Sequence, residues 1–432
     1  EAVTQQAQVI PGDPLTIQVL LNQRTNVNAV VEKISVPFKD SLLQKTLSYN
    51  QNLQWDYSFK VPINQSISQP YWLQVPQSEG MFNVTDLQQI GKPENEASFS
   101  VNARIAIEGQ LFTFSTPVQY KVTDPTKGDV YQPLAIIPSV EFKFDKEVYL
   151  MRSNKPIDIS YQVVDHKGKS ETINVVVKDP AQQIPLPAGA LYRKTIQYDH
   201  IPTINYFPAA QTKVVKLDVQ SHPFKVGYIE GAGDKLPEAL SALGYQVVNI
   251  KATDISIDNL KGLDAIVVGI RAYNMYENLT DKNDILNEYI KAGGNLIVQY
   301  LKSNQVGIQK VKVGPYSFTV NPSKRVTQEN MPVEMLLPQH AVFNTPNTIT
   351  PKDFDNWVQE RSTYQAENID AHFEMPLSMH DANEPASNGS LLIAPYGKGN
   401  MVYLSLTLFR QLPAGNPGAY KILANLIELP KH

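Results

Sequence analysis

Val226-Gly227-Tyr228-Ile229, then Glu230-Gly231-Ala232-Gly233-Asp234, then Leu236, Ala239, Leu240 and Leu243 at helical spacing: this stretch decides the fold of the carboxyl-terminal half. A short apolar run followed by a glycine turn predicts a buried strand. The spacing after it predicts an amphipathic helix, opened by Asp234 as N-cap and stopped by Gly244. The cycle then repeats. Gln246-Val247-Val248-Asn249-Ile250 begins a second strand and Ala265 to Ile270 forms a third. A helix around Asp284 to Ala292 ends at Gly293-Gly294, and Asn295 to Tyr300 forms a fourth strand. Near-continuous apolar strands alternating with amphipathic helices require a parallel sheet covered on both faces. Residues 222–432 are therefore expected to form a doubly wound α/β domain. Ser390 to Ala394 and Met401 to Leu406 read as strands paired across Gly397-Lys398-Gly399-Asn400, and a helix from Pro417 to Leu429 closes the chain.

Working upstream, the apolar period falls to two. Leu15-Thr16-Ile17-Gln18-Val19-Leu20 and Ser98-Phe99-Ser100-Val101-Asn102-Ala103 alternate apolar with polar residues, as strands with one face on a core do. Asn, Asp, Pro and Gly separate the runs, so residues 1–131 are expected to form an immunoglobulin-like β-sandwich. A second sandwich is expected over 132–221. It rests on Val140 to Phe144, Ile157 to Tyr161, Ile173 to Val177 and Val214 to Val219, with Asp165-His166-Lys167-Gly168-Lys169 as a hairpin turn. The polar stretch Asp124 to Asp129 reads as the linker between the two.

The chain has 432 residues, 42% of them hydrophobic, which is enough for two to four packed cores. A net charge of −4 with no block of Lys and Arg argues against nucleic acid as partner, because phosphate neutralisation needs a basic face. There is no cysteine, which removes disulfides, thiolate metal sites and cysteine nucleophiles together. No run reaches the ~18 consecutive apolar residues of a membrane span. The first residue is Glu1, so a leader or an upstream domain is expected to have preceded it.

Five strings from residue 199 onward carry a resemblance. They are Asp199-His200-Ile201-Pro202 with Asn205-Tyr206-Phe207-Pro208, Gly269-Ile270-Arg271-Ala272-Tyr273-Asn274, Trp357-Val358-Gln359-Glu360-Arg361, Ser378-Met379-His380-Asp381, and Phe409-Arg410-Gln411-Leu412-Pro413-Ala414-Gly415. Together they resemble the carboxyl-terminal region of large bacterial PIG-L/LmbE-like proteins, the family of the GlcNAc-PI de-N-acetylases. The resemblance implies an amino-terminal zinc-dependent deacetylase domain, then sandwich modules, then a flavodoxin-like domain similar to class I glutamine amidotransferases. The family's His-Pro-Asp-Asp zinc motif is missing from these residues. His380-Asp381 with Glu384 lacks the paired aspartates, so zinc ligation does not transfer to it.

An amidotransferase-like elbow after the fourth strand would fall on Leu301-Lys302-Ser303-Asn304, where no glycine flanks the nucleophile position and no His-Glu pair precedes the last helix. Gly231-Ala232-Gly233 lacks a third glycine, holding Leu236 there, and a lone Gly-x-Gly is first a turn requirement. His372, Glu374, His380 and Asp381 are suitable metal ligands by type, but Pro376 between the histidines precludes a common helix face. No catalytic residue, metal site or cofactor is therefore expected in this chain.

Ligands of open α/β sheets bind beyond the carboxyl ends of the strands. Arg271, Tyr273 and Asn274 follow the third strand, Gln299 and Tyr300 end the fourth, and Arg410 and Gln411 follow the last long one. Gln359, Glu360, Arg361, His380 and Asp381 lie on connections able to reach the same edge. Such a set suits a carbohydrate or carboxylate ligand, or else braces long loops through ion pairs. The expectation is a non-catalytic accessory region, exported to the periplasm or beyond, that positions a separate deacetylase domain. Two alternatives stay open: a carbohydrate-directed hydrolase using Arg271, Glu360, His380 and Asp381, and a cell-envelope interaction module.

Overall fold

The computed structural model describes residues 1–78, 80–152, 155–303 and 311–432. Strand outweighs helix, 38% to 14%, and is spread over many sheets, so the protein is a multidomain β-rich chain. It divides into two compact units. One comprises residues 1–145, 158–176 and 183–211; the other comprises 146–157, 177–182 and 212–432. The stretch expected to be a second sandwich thus contributes strands to both units. Val148–Arg152 pairs in parallel with Lys213–Leu217 in the second unit, while Val140–Phe144 pairs antiparallel with residues 161–165 in the first.

In the first unit a five-stranded sheet runs in the order Gly128–Pro133, Gln119–Asp124, Ala2–Thr4, Pro14–Asn22, Asn52–Lys60. A four-stranded sheet runs Lys39–Thr46, Ala29–Val36, Ser100–Ile107, Gln110–Pro117. Both contribute to one core: Leu15, Ile17 and Val19 from the first sheet join Val31, Ile34, Val101 and Ile105 from the second. The intervening polar residues take the outer face, where Thr16 Oγ1 meets Ser58 Oγ at 2.8 Å across the ladder. Asp165 makes the expected turn by accepting the Lys167 N–H at 2.8 Å.

The second unit is built on a six-stranded sheet. Its strands are β1 (Lys225–Ile229), β2 (Gln246–Ile250), β3 (Ala265–Val268), β4 (Asn295–Gln299), β5 (Leu391–Tyr396) and β6 (Gly399–Leu404), in the spatial order β2-β1-β3-β4-β6-β5. All neighbours are parallel except β5, which forms the expected antiparallel hairpin with β6. Alternate residues of each strand enter two different cores. Val226, Tyr228, Ala265, Val267, Ile297 and Val402 belong to one, and Ile229, Ile266, Val268, Leu296, Val298 and Met401 to the other. That is why these strands are apolar throughout.

Helices α1 (Leu236–Ala242) and α3 (Pro417–Ile427) pack into the first core, and α2 (Asn283–Lys291) sends Leu286 and Ile290 into the second. Helix α3 starts as a short apolar helix should: the Asn416 side chain accepts the Gly418 and Ala419 N–H groups and Pro417 takes the first turn. Helix α1 departs slightly from expectation. Lys235 holds its cap position and Asp234 stands one residue earlier, still accepting the Leu236 N–H at 3.1 Å. The reason is that the Asp234 carboxylate is drawn into contacts at the sheet edge.

Candidate functional site

The carboxyl ends of β1, β3 and β4 come together at a crowded edge. A Cβ placed on Gly231 would lie 2.2 Å from the Ile270 carbonyl oxygen, and one on Gly269 would lie 2.7 Å from the Gly231 nitrogen. Glycine at both positions lets the two turns touch backbone to backbone, and the Ala232 N–H donates to Ile270 O at 2.8 Å. Asp234 ties the corner. It accepts from the Tyr228 hydroxyl (2.7 Å), Gln299 Nε2 (3.1 Å) and the Ile270 N–H (3.3 Å). Burial, reinforced by the Asp234 charge, pushes the Tyr228 hydroxyl well above the usual tyrosine range. The Gly-x-Gly turn therefore packs chain against chain, with the Asp234 carboxylate at the same corner.

One turn further along the edge, Arg271 is held left-handed at φ 57° with its N–H donating to Tyr300 O at 2.8 Å. Asn274 accepts the Lys302 N–H at 2.7 Å and donates to Ser303 O at 3.2 Å. It thereby pins the loop on which an amidotransferase-like nucleophile would stand; Asn304 lies outside the described residues. Tyr273 is buried in the core beside α2, and burial raises its hydroxyl pKa. Tyr300 stacks on Tyr364, ring centres 5.2 Å apart and planes 4° apart, with Phe409 at 5.3 Å. Its pKa is raised chiefly by burial. The charges of Arg271 and Arg410 pull it down, and Tyr364 and Glu360 push it up.

Glu360 lies 7% exposed between two arginines. Arg325 donates to its Oε2 through Nη2 (2.6 Å) and Nε (3.2 Å), and Arg410 donates to its Oε1 at 3.0 Å. The Arg325 pKa is raised chiefly by this hydrogen bond. Arg410 also covers the Phe409 ring at 5.1 Å. Gln359 is exposed and left-handed at φ 68°. The neighbouring Arg361 turns away into the interior and donates to Phe354 O at 2.5 Å, burial lowering its pKa. Gln411 is fully buried: its Oε1 accepts the Val358 N–H and its Nε2 donates to Val358 O, both at 2.8 Å.

Asp381 is 9% exposed and satisfied on both oxygens. Its Oδ2 accepts the Thr327 N–H (2.9 Å) and hydroxyl (2.7 Å), and Oδ1 accepts the Gln328 N–H (2.8 Å). Burial raises its pKa, but these hydrogen bonds outweigh it and the net shift is downward. The His380 ring lies against the Asp381 backbone, Nδ1 to carbonyl oxygen at 2.8 Å. Among the described residues His380 hydrogen-bonds to no carboxylate. The other side chains weighed as metal ligands go separate ways. His372 pairs with Asp370 (2.7 Å) and stacks on Tyr316, and Glu374 pairs with His340 (2.9 Å). No group of three or more His, Asp or Glu is arranged to hold a metal ion among the described residues.

Of the nominated side chains, the fold brings Arg271, Tyr300, Glu360 and Arg410 into one charged cluster. It leaves Gln359 in solvent and commits Arg361, Gln411 and Asp381 to bracing. Arg325, Tyr364, Thr327 and Asp234 are partners that the sequence did not single out as such. Arg325 sits 35 residues before Glu360 and Thr327 sits 54 before Asp381, so no local spacing could reveal them. Asp234 does carry a signal, a carboxylate at the first strand-helix turn, though its spacing points only to a cap.

No protein-family model matches the chain, and no curated protein matches it significantly. Among solved structures, a β-galactosidase from Rahnella sp. R3 aligns with 49% of this chain and 32% of its own length, at 17% identity and a TM-score of 0.32. A likeness at that level carries no argument about fold or function. No helix among the described residues is long and apolar enough to cross a membrane.

Proposed function

We propose that this chain is a non-catalytic accessory region of a PIG-L/LmbE-like deacetylase-type protein. It consists of immunoglobulin-like sandwich modules followed by a flavodoxin-like, amidotransferase-like α/β domain. Its role is to position an amino-terminal zinc deacetylase domain, in the periplasm or outside the cell. One observation carries the reading: the carboxylates gathered beyond the strand ends are taken up by neighbouring donors. Glu360 is clamped by Arg325 and Arg410, Asp381 is saturated by Thr327 and Gln328, and His380 faces a backbone carbonyl. General acid–base work needs the opposite, a histidine or carboxylate with a lone pair free to face substrate.

The Arg271, Arg325 and Arg410 guanidinium groups outnumber the single Glu360 carboxylate, which favours a carboxylate-bearing or hydroxyl-rich ligand at this edge. The test is direct. The purified chain is incubated with N-acetylglucosamine conjugates and with glutamine, with and without zinc, and release of acetate or ammonia is followed. No turnover is expected. Turnover that disappears in Glu360→Gln or His380→Ala would overturn the proposal in favour of a self-sufficient hydrolase.

A second reading, an envelope interaction module, draws on the edge strand Gln110–Pro117, where Leu111, Phe112 and Phe114 are all about half exposed. An uncovered edge with aromatic side chains is a pairing surface. Sedimentation of the purified chain, alone and after Phe112→Lys, distinguishes the two: self-association lost in the variant favours the interaction module.

A further inference from the structure

The first unit contains a cleft of about 640 Å³, the size of an ordinary small-ligand site. Five chain segments wall it: 65–74, 93–98, 117–119, 133–135 and 201–205. Their side chains have a consistent chemistry. Gln65, Gln69, Gln119, Asn95 and Asn205 bring amides, Trp72 brings an aromatic face, and Glu94 and Glu96 bring carboxylates. Among the described residues no Lys, Arg or His lines the cleft.

The walls are tied together before any ligand arrives. The Ser68 N–H donates to Ile136 O, and the Ser68 hydroxyl accepts the Ile136 N–H, both at 2.9 Å, and meets Ser98 Oγ at 3.0 Å. Gln69 Oε1 accepts the Phe207 N–H at 2.9 Å, and Asn95 holds Tyr71 N–H through Oδ1 at 2.9 Å while its amide donates to Gln69 O. Tyr71 stands edge-on to Trp72 at 4.8 Å and 87°, which fixes the half-buried indole. The Gln65 and Gln119 amides, by contrast, make no side-chain hydrogen bond among the described residues.

We infer that this cleft is a binding site for a neutral oligosaccharide. A planar amide offers a donor and an acceptor side by side, matching a pair of adjacent sugar hydroxyls. An indole face takes the apolar C–H side of a pyranose ring while its edge remains in a polar setting. With no basic residue in the lining, and with Lys92 beside it already paired to Glu96 at 3.0 Å, no free cation faces a phosphorylated or carboxylated ligand, and Glu94 repels one. A proline-rich peptide is disfavoured because its grooves are lined by several aromatic faces, whereas here Tyr71 is turned edge-on and its hydroxyl donates to Lys92 O. The site is separate from the charged edge of the second unit and does not depend on the accessory role proposed above.

The test is calorimetric titration of the full chain with neutral trisaccharides built from glucose, galactose, mannose or N-acetylglucosamine. A uronic-acid trisaccharide and a proline-rich peptide are titrated alongside. At least one neutral trisaccharide is expected to bind, with affinity lowered roughly tenfold or more in Trp72→Ala and in Gln119→Ala. Gln119→Ala removes an amide that the fold does not use, so it reads the site even where Trp72→Ala is unstable. Three results overturn the inference: no neutral trisaccharide binds at millimolar concentration, the acidic sugar or the peptide binds in its place, or binding is unchanged in Gln119→Ala. An Arg271→Ala/Arg410→Ala double variant is titrated in parallel. Loss of binding there with Gln119→Ala unaffected would move the ligand to the second unit and also overturn it.

Discussion

The charged edge of the second unit and the amide-lined cleft of the first make an instructive pair. The edge is rich in residues that enzymes use, yet its carboxylates are engaged by neighbouring donors. The cleft is lined by amides, hydroxyls and two carboxylates, with no Lys, Arg or His among the described residues, and two of its amides are uncommitted. Residue type alone would rank the edge first. Hydrogen bonding divides them differently: at the edge the carboxylates are taken up while Arg271 Nε, Arg410 Nε and the Tyr273 hydroxyl are buried without a partner among the described residues, and in the cleft the Gln65 and Gln119 amides are the groups left available.

If the edge is mainly a brace, breaking it should damage the fold, and breaking the cleft should not. The largest effect is expected from Gly231→Ala, where the new methyl meets the Ile270 carbonyl. A backbone collision has no flexible atom to yield, so the expected loss is on the order of 4 kcal/mol or more. It should appear as a lower thermal transition of the second unit with the first unit's transition unmoved. Coincident shifts of both transitions would mean that the units do not melt separately.

Next is Glu360→Ala, which leaves Arg325 and Arg410 without their shared counter-charge. Removing one partner of a buried pair costs about 3–5 kcal/mol, and the partial exposure of both arginines places this case near the lower end. Glu360→Gln should recover part of the loss. If Glu360→Ala left stability unchanged, the triad would be a ligand site and not a brace.

Asp381→Asn sharpens the comparison through pH. The Asp381 pKa is depressed in the folded state, so its stabilisation is present above the unfolded value of about 3.9 and is lost as pH falls through the folded value. The variant should lose about 2 kcal/mol at pH 7, from hydrogen bonds to a charged acceptor. The gap between variant and parent should narrow below pH 4. A gap that is constant from pH 7 to pH 3, measured by urea unfolding, would assign the loss to packing and not to charge.

The smallest effect is expected in the cleft. Gln119→Ala should change stability by no more than about 0.5 kcal/mol, as a substitution at a half-buried position that removes no side-chain hydrogen bond. A loss of 2 kcal/mol there would show that the amide is structural after all and would erase the contrast.

What the amino-acid order determined by itself is the periodic part of the molecule. Alternation in Leu15-Thr16-Ile17-Gln18-Val19 marked a strand with one wet face, and unbroken apolar runs such as Ala265-Ile266-Val267-Val268 marked strands buried on both. The β5–β6 hairpin and the capped helix α3 were legible for the same reason: their causes lie within a few residues of each other. Tertiary structure alone decided which polar groups are satisfied. Arg325 reaches Glu360 across 35 residues, and Thr327 reaches Asp381 across 54. The cleft joins residue 65 to residue 205. Such pairings depend on where the chain returns, and side-chain hydrogen bonds leave no period in the sequence to announce them.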